Sequence, residues 1–337
     1  MSAPDLSIVI LSWNTKELTR KCIQAVQRDG SKLEREIIVV DNGSHDGSAD
    51  MVAEEFPEVL LVRNRDNLLY AEGNNQGAKR ATGRFLCTLN SDTEVELGAL
   101  DKLVRFLEEN PDYGVVAPQL KNFDGTPQRA VLRFPGLSTP IVDSTLFGEF
   151  PPGSWLLARQ SMAKFDHAHS RDVDQPPAAV WVVAREEYVE MGGLDESLSL
   201  FFNDVDFCWR IKRERGRKVY FLAEAGVFHH QGASTRSLAD RNRNTYWFAN
   251  RETFYAKHWG GFGRLWVRFA LRLWAFQVSS AIRLGPRSKA EKKEALADIR
   301  SHVSRSLAAN ANGDAMPVRS AESDLDAVSD PAKEPSR

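Results

Sequence analysis

Short runs of uncharged β-forming residues alternate, in the first third of the chain, with segments whose apolar residues recur every three or four positions. The runs are typical of strands buried on both faces, and the recurring positions predict amphipathic helices. Strands alternating with helices at this spacing indicate βαβ units, hence an α/β fold with a doubly wound, mainly parallel sheet and helices on both faces. The predicted strands cover 6–12, 36–41, 59–62, 85–89 and 115–118, and a helix follows each of the first four, the last two covering 70–81 and 97–109.

The pattern weakens between 119 and 177, where Gly, Pro, Ser and Asp are frequent. A long irregular segment inside a compact domain is usually a substrate loop or lid. Beyond 305 the chain is too poor in apolar residues to bury a core, and we expect a disordered tail over 305–337. The remaining elements predicted are strands at 178–184, 219–222 and 226–229, and helices at 185–191, 201–215, 242–258 and 263–284.

Composition describes a globular protein: 42% of the 337 residues are hydrophobic and 27% are charged. The net charge of −2 gives no global field for nucleic acid, which we exclude as a partner. Three scattered cysteines are too few for a disulfide framework or a zinc site. No basic leader precedes the first strand, and no apolar run is long enough to span a bilayer, so we expect a cytoplasmic protein.

Acidic residues stand where two predicted strands end. Asp92 follows the strand 85–89 within Asn-Ser-Asp-Thr, and Asp41 opens Asp-Asn-Gly-Ser after the strand 36–41. Ligands of open α/β sheets bind beyond the carboxyl ends of strands. A carboxylate like Asp92 suits Mg²⁺ or Mn²⁺ carrying a phosphate, and the alternative is a helix cap. Asp41 suits a nucleobase N–H or a ribose hydroxyl, and its alternative is a turn motif.

Three further stretches carry polar chemistry. Segment 67–77 places glycines and amides at a helix start, where phosphate or sugar binds, unless it is an ordinary turn. Asp204 and Asp206 either cap the next helix or supply a general base for an acceptor hydroxyl. His229 and His230 end a strand, where an imidazole either completes the coordination of a cation or makes a structural hydrogen bond.

Taken together and in order, these stretches resemble the family-two inverting glycosyltransferases with the GT-A fold, specifically the rhamnosyltransferase-like branch. Single motifs are weak, but the ordered set over residues 6 to 260 is specific. The matching stretches are 7–14 (SIVILSWN), 40–48 (VDNGSHDGS), Asn67 with 71–77 (AEGNNQG), 89–93 (LNSDT), 192–196 (GGLDE), 201–210 (FFNDVDFCWR) and His229-His230.

The resemblance implies a nucleotide-sugar donor, with a nucleotide-binding half over 1–118 and an acceptor-binding half over 119–260. It implies Mg²⁺ or Mn²⁺ held by Asp92 and His229, Asp204 as the catalytic general base, and Asn203 and Asp206 on the acceptor side. A single in-line displacement would then invert the anomeric carbon. The residues implied for nucleotide-sugar binding are Ser12, Asn14, Asp41, Gly43, Asn67, Gly73, Asn74, Ser91 and Asp92.

Three positions depart from the family pattern: Asn203 replaces Glu, Leu69 replaces Gly, and Ala178-Ala179 replaces Gly-Ala. None removes a catalytic group, so we expect an active enzyme of cell-surface polysaccharide synthesis. The expected donor is dTDP-rhamnose or another nucleotide sugar, and the expected acceptor is a glycan or a polyprenyl-diphosphate-linked glycan. The alternatives are a non-catalytic sugar-nucleotide-binding or scaffold protein on the same fold, and a nucleotidyltransferase, for which the Gly-rich basic N-terminal loop is missing.

The segment 262–284, within a predicted helical extension over 261–304, allows two interpretations. Arg264, Arg268 and Arg272 recur every four residues, and aromatic and aliphatic residues fill much of the remainder. Such a helix suits an anionic membrane surface, which would make the protein peripheral at the inner face of the cell membrane. Alternatively, the helix docks on the enzyme's own core with its arginines in solvent.

Overall fold

The computed structural model describes residues 3–230, 240–286 and 288–308, without the side chains of 240–242. Its strands are β1 Leu6–Ser12, β2 Arg35–Asp41, β3 Leu60–Arg63, β4 Phe85–Asn90, β5 Thr93–Val95, β6 Tyr113–Lys121, β7 Arg171–Val173, β8 Val180–Ala184 and β9 Lys218–His229. Its helices are α1 Lys16–Arg28, α2 Ser48–Glu55, α3 Leu69–Arg80, α4 Ala99–Glu109, α5 Thr139–Val142, a 3₁₀ helix Leu146–Glu149, α6 Gly153–Gln160, α7 Arg185–Glu190, α8 Asn203–Arg213, α9 Asp240–Leu284 and α10 Lys289–Ala308.

One sheet of nine strands organises the described chain, in the order β3-β2-β1-β4-β8-β6-β9-β5, with β7 paired to β9. Strands β1 to β4 are mutually parallel. Strands β6 and β9 are parallel to each other and run in the same direction as β1 to β4. Strand β8 is antiparallel to both β4 and β6, and β5 and β7 are antiparallel to β9. The prediction of a mainly parallel α/β sheet is confirmed.

Helices cover both faces because successive strand residues point to opposite sides. In β1, Ile8 and Ile10 pack into one core with α1 and α4, while Val9 between them packs into the other core with α3 and α8. Residues 8–10 of β1 are buried on both faces, which explains why they form a continuous apolar run rather than an alternating pattern. The sheet is therefore doubly wound.

Two predicted strands merge, and the two predicted boundaries fall within single elements. The strands predicted at 219–222 and 226–229 are one strand, β9, whose pairing with β6 shifts register between Leu222 and Gly226. The division after Pro118 falls inside β6, so the sheet continues across it. At the other boundary, Gly260 adopts φ 62° and ψ −153°, which kinks α9.

The irregular segment 119–177 contains α5, the 3₁₀ helix, α6 and β7. A turn lies at 122–125, with the Asn122 N–H donating to Thr126 O at 2.8 Å. At the C-terminus, α10 extends to Ala308, so the predicted disorder does not begin at 305. Residues 309–337 of that predicted tail, and residues 231–239, lie outside the described residues. Within the described part of the chain, no helix is both long enough and apolar enough to span a membrane.

Gly77 lets α3 approach the sheet, since a Cβ there would lie 2.2 Å from Val9 Cγ1. We expect Gly77→Ala to lower the free energy of unfolding, because overpacking costs about 1–3 kcal/mol and outweighs the helix-propensity gain of about 1 kcal/mol. In a Val9→Ala background, the same change should be neutral or stabilising. Urea denaturation of the four proteins measures the coupling, and a stabilised Gly77→Ala single variant would contradict this packing argument.

Candidate active site

The carboxyl ends of three neighbouring parallel strands form one edge of the sheet. Ser12 of β1 stands opposite Asp41 of β2, and Asn90 ends β4 beside Leu11 of β1. Because β8 runs the other way, its beginning lies at this same edge, where the Asn90 N–H donates to Ala179 O at 2.9 Å. The edge therefore gathers residues from both halves of the sequence.

Asp41 is buried at this edge, with 3% of its surface exposed. Its Oδ1 accepts from the Ser44 N–H at 3.1 Å, and its Oδ2 has no hydrogen-bond partner within the described residues. Burial raises the pKa of Asp41, although hydrogen bonds from Ser44 oppose the shift. A buried carboxylate oxygen without a donor suits a ligand that brings an N–H or O–H group.

The loops after β1 and β2 are tied together by Asn14. Its N–H donates to Ser44 Oγ at 2.9 Å, and its Oδ1 accepts from the His45 N–H at 2.8 Å. Asn14 adopts φ 51°, a left-handed conformation that asparagine tolerates. Its side chain therefore orders the loop that carries Asp41's neighbour Ser44.

Ser12 and Ser91, predicted to bind the nucleotide sugar, have hydroxyls that bond within the protein. Both residues are fully buried. Ser12 Oγ lies 2.8 Å from Thr19 Oγ1, and Ser91 Oγ lies 2.8 Å from Thr15 Oγ1. These hydroxyls satisfy one another and fix the start of α1 against the turn after β4, because buried hydroxyls require partners.

Gly43 and Asn67 also have structural contacts. Gly43 has φ 76°, and a Cβ there would lie 2.9 Å from the carbonyl carbon of Asp66, so the glycine admits the chain's own backbone. Asn67 Oδ1 accepts from the Leu69 N–H at 2.8 Å and from Asn42 Nδ2 at 2.8 Å. The Asn42 side chain, which sequence reasoning missed, thereby holds the loop before α3 against the end of β2.

Gly73 and Asn74 lie buried within α3. A Cβ on Gly73 would lie 2.5 Å from Leu11 Cδ1, and Asn74 Nδ2 donates to Tyr70 O at 2.9 Å. Gly73 thus lets α3 pack on the sheet and Asn74 bonds within α3, and their sugar-nucleotide contacts stay a prediction. Leu69 keeps a left-handed φ of 63° while burying its side chain, so the family's glycine position retains its conformation here.

Asp92 and His229 meet because β5 pairs with β9. Thr93 stands opposite His229, and the neighbouring Asp92 Oδ1 lies 3.5 Å from His229 Nε2. His230 instead approaches Glu94 at 3.7 Å and stacks on the Phe123 ring. Of the two histidines, His229 is the one that faces Asp92. Asp92 is also not a helix cap, since β5 separates it from α4.

Gln128 orients His229, a contact that sequence reasoning missed. Gln128 Nε2 donates to His229 O at 2.8 Å and to Asn122 Oδ1 at 3.0 Å. Its Oε1 is therefore the atom that lies 3.0 Å from His229 Nδ1 and accepts the Nδ1–H. In a neutral imidazole this leaves the lone pair of Nε2 directed towards Asp92. Two acceptors so arranged suit a cation between them.

The described residues contain no group of three or more His, Cys, Asp or Glu side chains arranged to hold a metal. The pair Asp92 and His229 is one carboxylate and one imidazole, both acceptable to Mn²⁺ and, through oxygen, to Mg²⁺. Such a pair fits a cation whose remaining ligands come from a bound diphosphate and water. The two side chains are thus compatible with a metal site whose coordination is completed by the bound substrate.

Asp204 lies near the N-terminus of α8 and lines a cavity of about 300 Å³ together with Thr139, Asp143, Gln175 and Trp247. Its Oδ1 accepts from the Val205 N–H at 2.8 Å. Burial raises the pKa of Asp204, although hydrogen bonds from the Val205 and Ala178 backbones oppose the shift. A carboxylate with a raised pKa at a cavity wall can accept a proton from a bound hydroxyl.

Asn203 and Asp206, predicted on the acceptor side, both make contacts within the protein. Asn203 is buried and donates from Nδ2 to Leu198 O at 3.1 Å. Asp206 is fully buried: its Oδ2 accepts from Arg210 Nε at 2.7 Å, and its Oδ1 lies 2.8 Å from Lys257 Nζ and 2.9 Å from His258 Nε2. Asp206 therefore joins α8 to α9.

Comparisons with known proteins agree with this geometry. The family model described as "Glycosyl transferase family 2" matches residues 7–163. The N-acetylglucosaminyl-diphospho-decaprenol L-rhamnosyltransferase of Mycobacterium tuberculosis is 24% identical over 253 residues, covering 70% of this chain and 79% of that protein. The O-antigen biosynthesis protein RfbC of Myxococcus xanthus is 27% identical over 251 residues, which are 73% of this chain but 19% of that protein.

Solved structures share the fold. The mannosyltransferase PcManGT from Pyrobaculum calidifontis, in complex with GDP-Man and Mn²⁺, matches with a TM-score of 0.51 at 14% identity, covering 92% of this chain and 88% of that chain. GalNAc-T7 with UDP, GalNAc and Mn²⁺ matches with a TM-score of 0.51 at 15% identity, covering 89% and 55%. The prediction of a GT-A type fold is confirmed.

The environment of Asp206 predicts a large effect on stability. Burial disfavours the carboxylate, but His258, Arg210 and Lys257 outweigh it and lower the pKa of Asp206 to about 2. We expect Asp206→Ala to cost about 3–5 kcal/mol of unfolding free energy, since buried cations lose their counter-charge. Asp195→Ala, which removes a more exposed partner of Lys257, should cost about 1 kcal/mol or less.

The carboxyl group of Asp206 also predicts that the stability of the protein depends on pH. Its folded-state pKa lies below the usual 3.8, so its contribution is complete above that pH and is lost as the pH falls towards about 2. The stability difference between wild type and Asp206→Ala should shrink over that interval. Denaturant unfolding at several pH values measures it. A difference that stays constant with pH would show that the carboxylate's charge is not the cause.

Proposed function

We propose that this chain, whose residues 7–163 match the family model "Glycosyl transferase family 2", is an inverting enzyme that transfers rhamnose from dTDP-rhamnose, or a hexose from another nucleotide sugar, in cell-surface polysaccharide synthesis. One observation carries the proposal. The edge of the sheet gathers an unpaired buried carboxylate oxygen at Asp41, the pair Asp92–His229, and the cavity-lining Asp204. These are the groups that donor binding, charge neutralisation and proton removal require.

The donor nucleotide would bind beside Asp41. Asp41 Oδ2, which has no hydrogen-bond partner within the described residues, would accept from the base N–H or a ribose hydroxyl. The ligand would then supply the hydrogen bond that this buried carboxylate oxygen lacks. The raised pKa of Asp41 is consistent with a group that a ligand's hydrogen bonds would hold ionised. Asn14 would act indirectly, by ordering the loop at Ser44.

Asp92 and His229 would hold Mg²⁺ or Mn²⁺, which when bound neutralises negative charge on the leaving nucleoside diphosphate. The charge of Asp92 and the Nε2 lone pair of His229 are the chain's contributions. Gln128 would be a positioning residue, because its bond to Nδ1 directs Nε2 towards the site.

Asp204 would be the general base. It would accept the proton of an acceptor hydroxyl as that oxygen attacks the anomeric carbon and the bond to the diphosphate oxygen breaks. Attack from the face opposite the leaving group inverts the anomeric configuration. The raised pKa of Asp204 supports this role, since it increases the basicity of the carboxylate.

The acceptor would be a glycan linked to a polyprenyl diphosphate. Supporting this, the rhamnosyltransferase relative is named for an N-acetylglucosaminyl-diphospho-decaprenol acceptor, and RfbC for O-antigen biosynthesis. The enzyme would act at the inner face of the cell membrane as a peripheral protein. A non-catalytic sugar-nucleotide-binding protein on this fold is the alternative, and retention of both Asp92 and Asp204 argues against it.

Replacement of Asp204 tests the base. Asp204→Asn keeps an oxygen for the Val205 N–H, so we expect intact folding and donor affinity while kcat falls about 10²–10⁴-fold. Because the pKa of Asp204 is raised, the acidic limb of the wild-type pH–rate profile should lie above the usual 3.8 and should disappear in the variant. Wild-type turnover by Asp204→Asn would exclude this base.

Nucleotide-sugar hydrolysis, screened with Mn²⁺, identifies the donor, and a wild type inactive on every donor would favour the binding protein.

The cation proposal is tested by calorimetric titration of Mn²⁺ in the presence of dTDP, and separately UDP. We expect Asp92→Ala to abolish cation-dependent binding. Gln128→Met, which removes the acceptor of His229 Nδ1–H at similar volume, should weaken it roughly 10–100-fold. Asn122→Ala, which loses contacts to Gln128 Nε2 and Thr126 Oγ1 but none to His229, serves as the matched control. Unchanged Mn²⁺ affinity in Asp92→Ala would remove this pair from the cation site.

A further inference from the structure

The 3₁₀ helix and α6 expose large apolar side chains instead of burying them. Five residues in this short stretch are between 40% and 69% exposed. Isolated exposed apolar residues are ordinary, but contiguous ones mark interaction sites. The five are Leu146, Phe147, Phe150, Trp155 and Leu156.

Helix α9 exposes a second row after its kink at Gly260. Phe262, Leu265, Phe269 and Phe276 are between 50% and 66% exposed, at spacings that keep them near one side of the helix. The opposite side packs on the protein, where Val267, Ala270 and Leu271 are buried. The helix thus docks on its own domain and still presents apolar side chains outward.

The segments that carry the two rows are in contact, although more than a hundred residues separate them. The Leu146 N–H donates to Gln277 Oε1 at 3.1 Å, and Trp266 Nε1 donates to Leu137 O at 2.6 Å. Residues of both segments, among them Phe147, Phe150 and Trp266, line a shared, mostly apolar cavity of about 710 Å³. We call the two rows together the apolar face.

The charges beside the apolar face are mostly positive. Segment 262–284 contains four arginines and no acidic residue, and segment 150–165 contains Arg159 and Lys164 and no acidic residue. Glu252 pairs with Arg268 at 2.8 Å and lies 3.6 Å from Arg264, which leaves Arg272 and Arg283 among the cations flanking the face. Glu149 is the acidic residue within the 3₁₀ helix. Cations around an apolar patch suit an anionic lipid surface.

Helix α5 connects the apolar face to the cavity of Asp204. Thr139, with Asp143 just beyond the helix, lines that cavity, whereas Ile141 and Val142 line the apolar one. A bilayer in contact with the face would therefore lie next to the acceptor side of the site. A second copy of the chain suits the face less well, because a two-fold contact would bring like-charged arginines together.

We propose that the apolar face docks on an anionic phospholipid bilayer and, if the proposed function holds, turns the Asp204 cavity towards an acceptor anchored in that bilayer. The 3₁₀–α6 segment and the second half of α9 enter the interface together. Neither segment spans the bilayer, and attachment depends jointly on apolar insertion and on charge.

Vesicle co-sedimentation of the full-length protein tests the proposal without requiring catalysis. We expect binding to phosphatidylcholine vesicles containing phosphatidylglycerol, much weaker binding to phosphatidylcholine alone, and weakening with added salt. Phe147→Ser/Phe150→Ser and Phe262→Ser/Phe269→Ser should each lower the affinity roughly tenfold or more. Leu60→Ser/Leu97→Ser, which changes exposed leucines elsewhere, is the matched control and should bind like wild type.

Because the substituted side chains are exposed, all variants should keep wild-type unfolding curves and donor hydrolysis. If the proposed function is wrong, the wild-type protein will not hydrolyse a nucleotide-sugar donor, and its binding to vesicles will be unaffected. The docking proposal is overturned if wild type does not bind anionic vesicles, or if only the α9 pair matters. It is also overturned if the face proves to mediate a lipid-free dimer, detected by sedimentation velocity, that both phenylalanine pairs abolish.

Discussion

The insertion of β8 between β4 and β6 is the constraint on which the rest of the structure depends. Val180 to Val183 are almost fully buried, and this antiparallel strand joins the parallel strands β3-β2-β1-β4 to the strands β6-β9-β5. Its reversed direction brings its first residues to the carboxyl ends of the others. The bond from Asn90 N–H to Ala179 O and the approach of Ala178 to Asp204 follow from that direction. Without this strand, the groups of the candidate site would belong to two unconnected sheets.

Buried polar side chains give the site its fixed shape. The hydroxyls of Ser12, Thr15, Thr19 and Ser91 bond to one another, and Asn42 holds the loop before α3. An unsatisfied buried polar group is costly, so each of these contacts specifies one loop conformation. Several polar residues near the strand ends therefore build the framework, and fewer remain to meet a ligand.

Two aspartates on one helix illustrate how position decides chemistry. Asp204 and Asp206 are two residues apart on α8, so their side chains leave the helix in different directions. Burial at the cavity wall raises the pKa of Asp204, whereas a hydrogen bond from His258 and the charges of Arg210 and Lys257 lower the pKa of Asp206 to about 2. One carboxylate is suited to accepting a proton, and the other is an ion that stabilises the contact between α8 and α9.

The sequence by itself determined the doubly wound sheet, most of its strands and the strand-end positions of Asp41 and Asp92, because burial periodicity and turn chemistry are local properties. The direction of β8, the pairing of Thr93 with His229 and the contact of Gln128 with His229 depend on residues distant in the chain. For the same reason, no local pattern distinguished the structural roles of Ser12, Ser91, Gly73 and Asp206 from ligand contacts. Only the tertiary structure decided which polar side chains turn inward and which face the cavity.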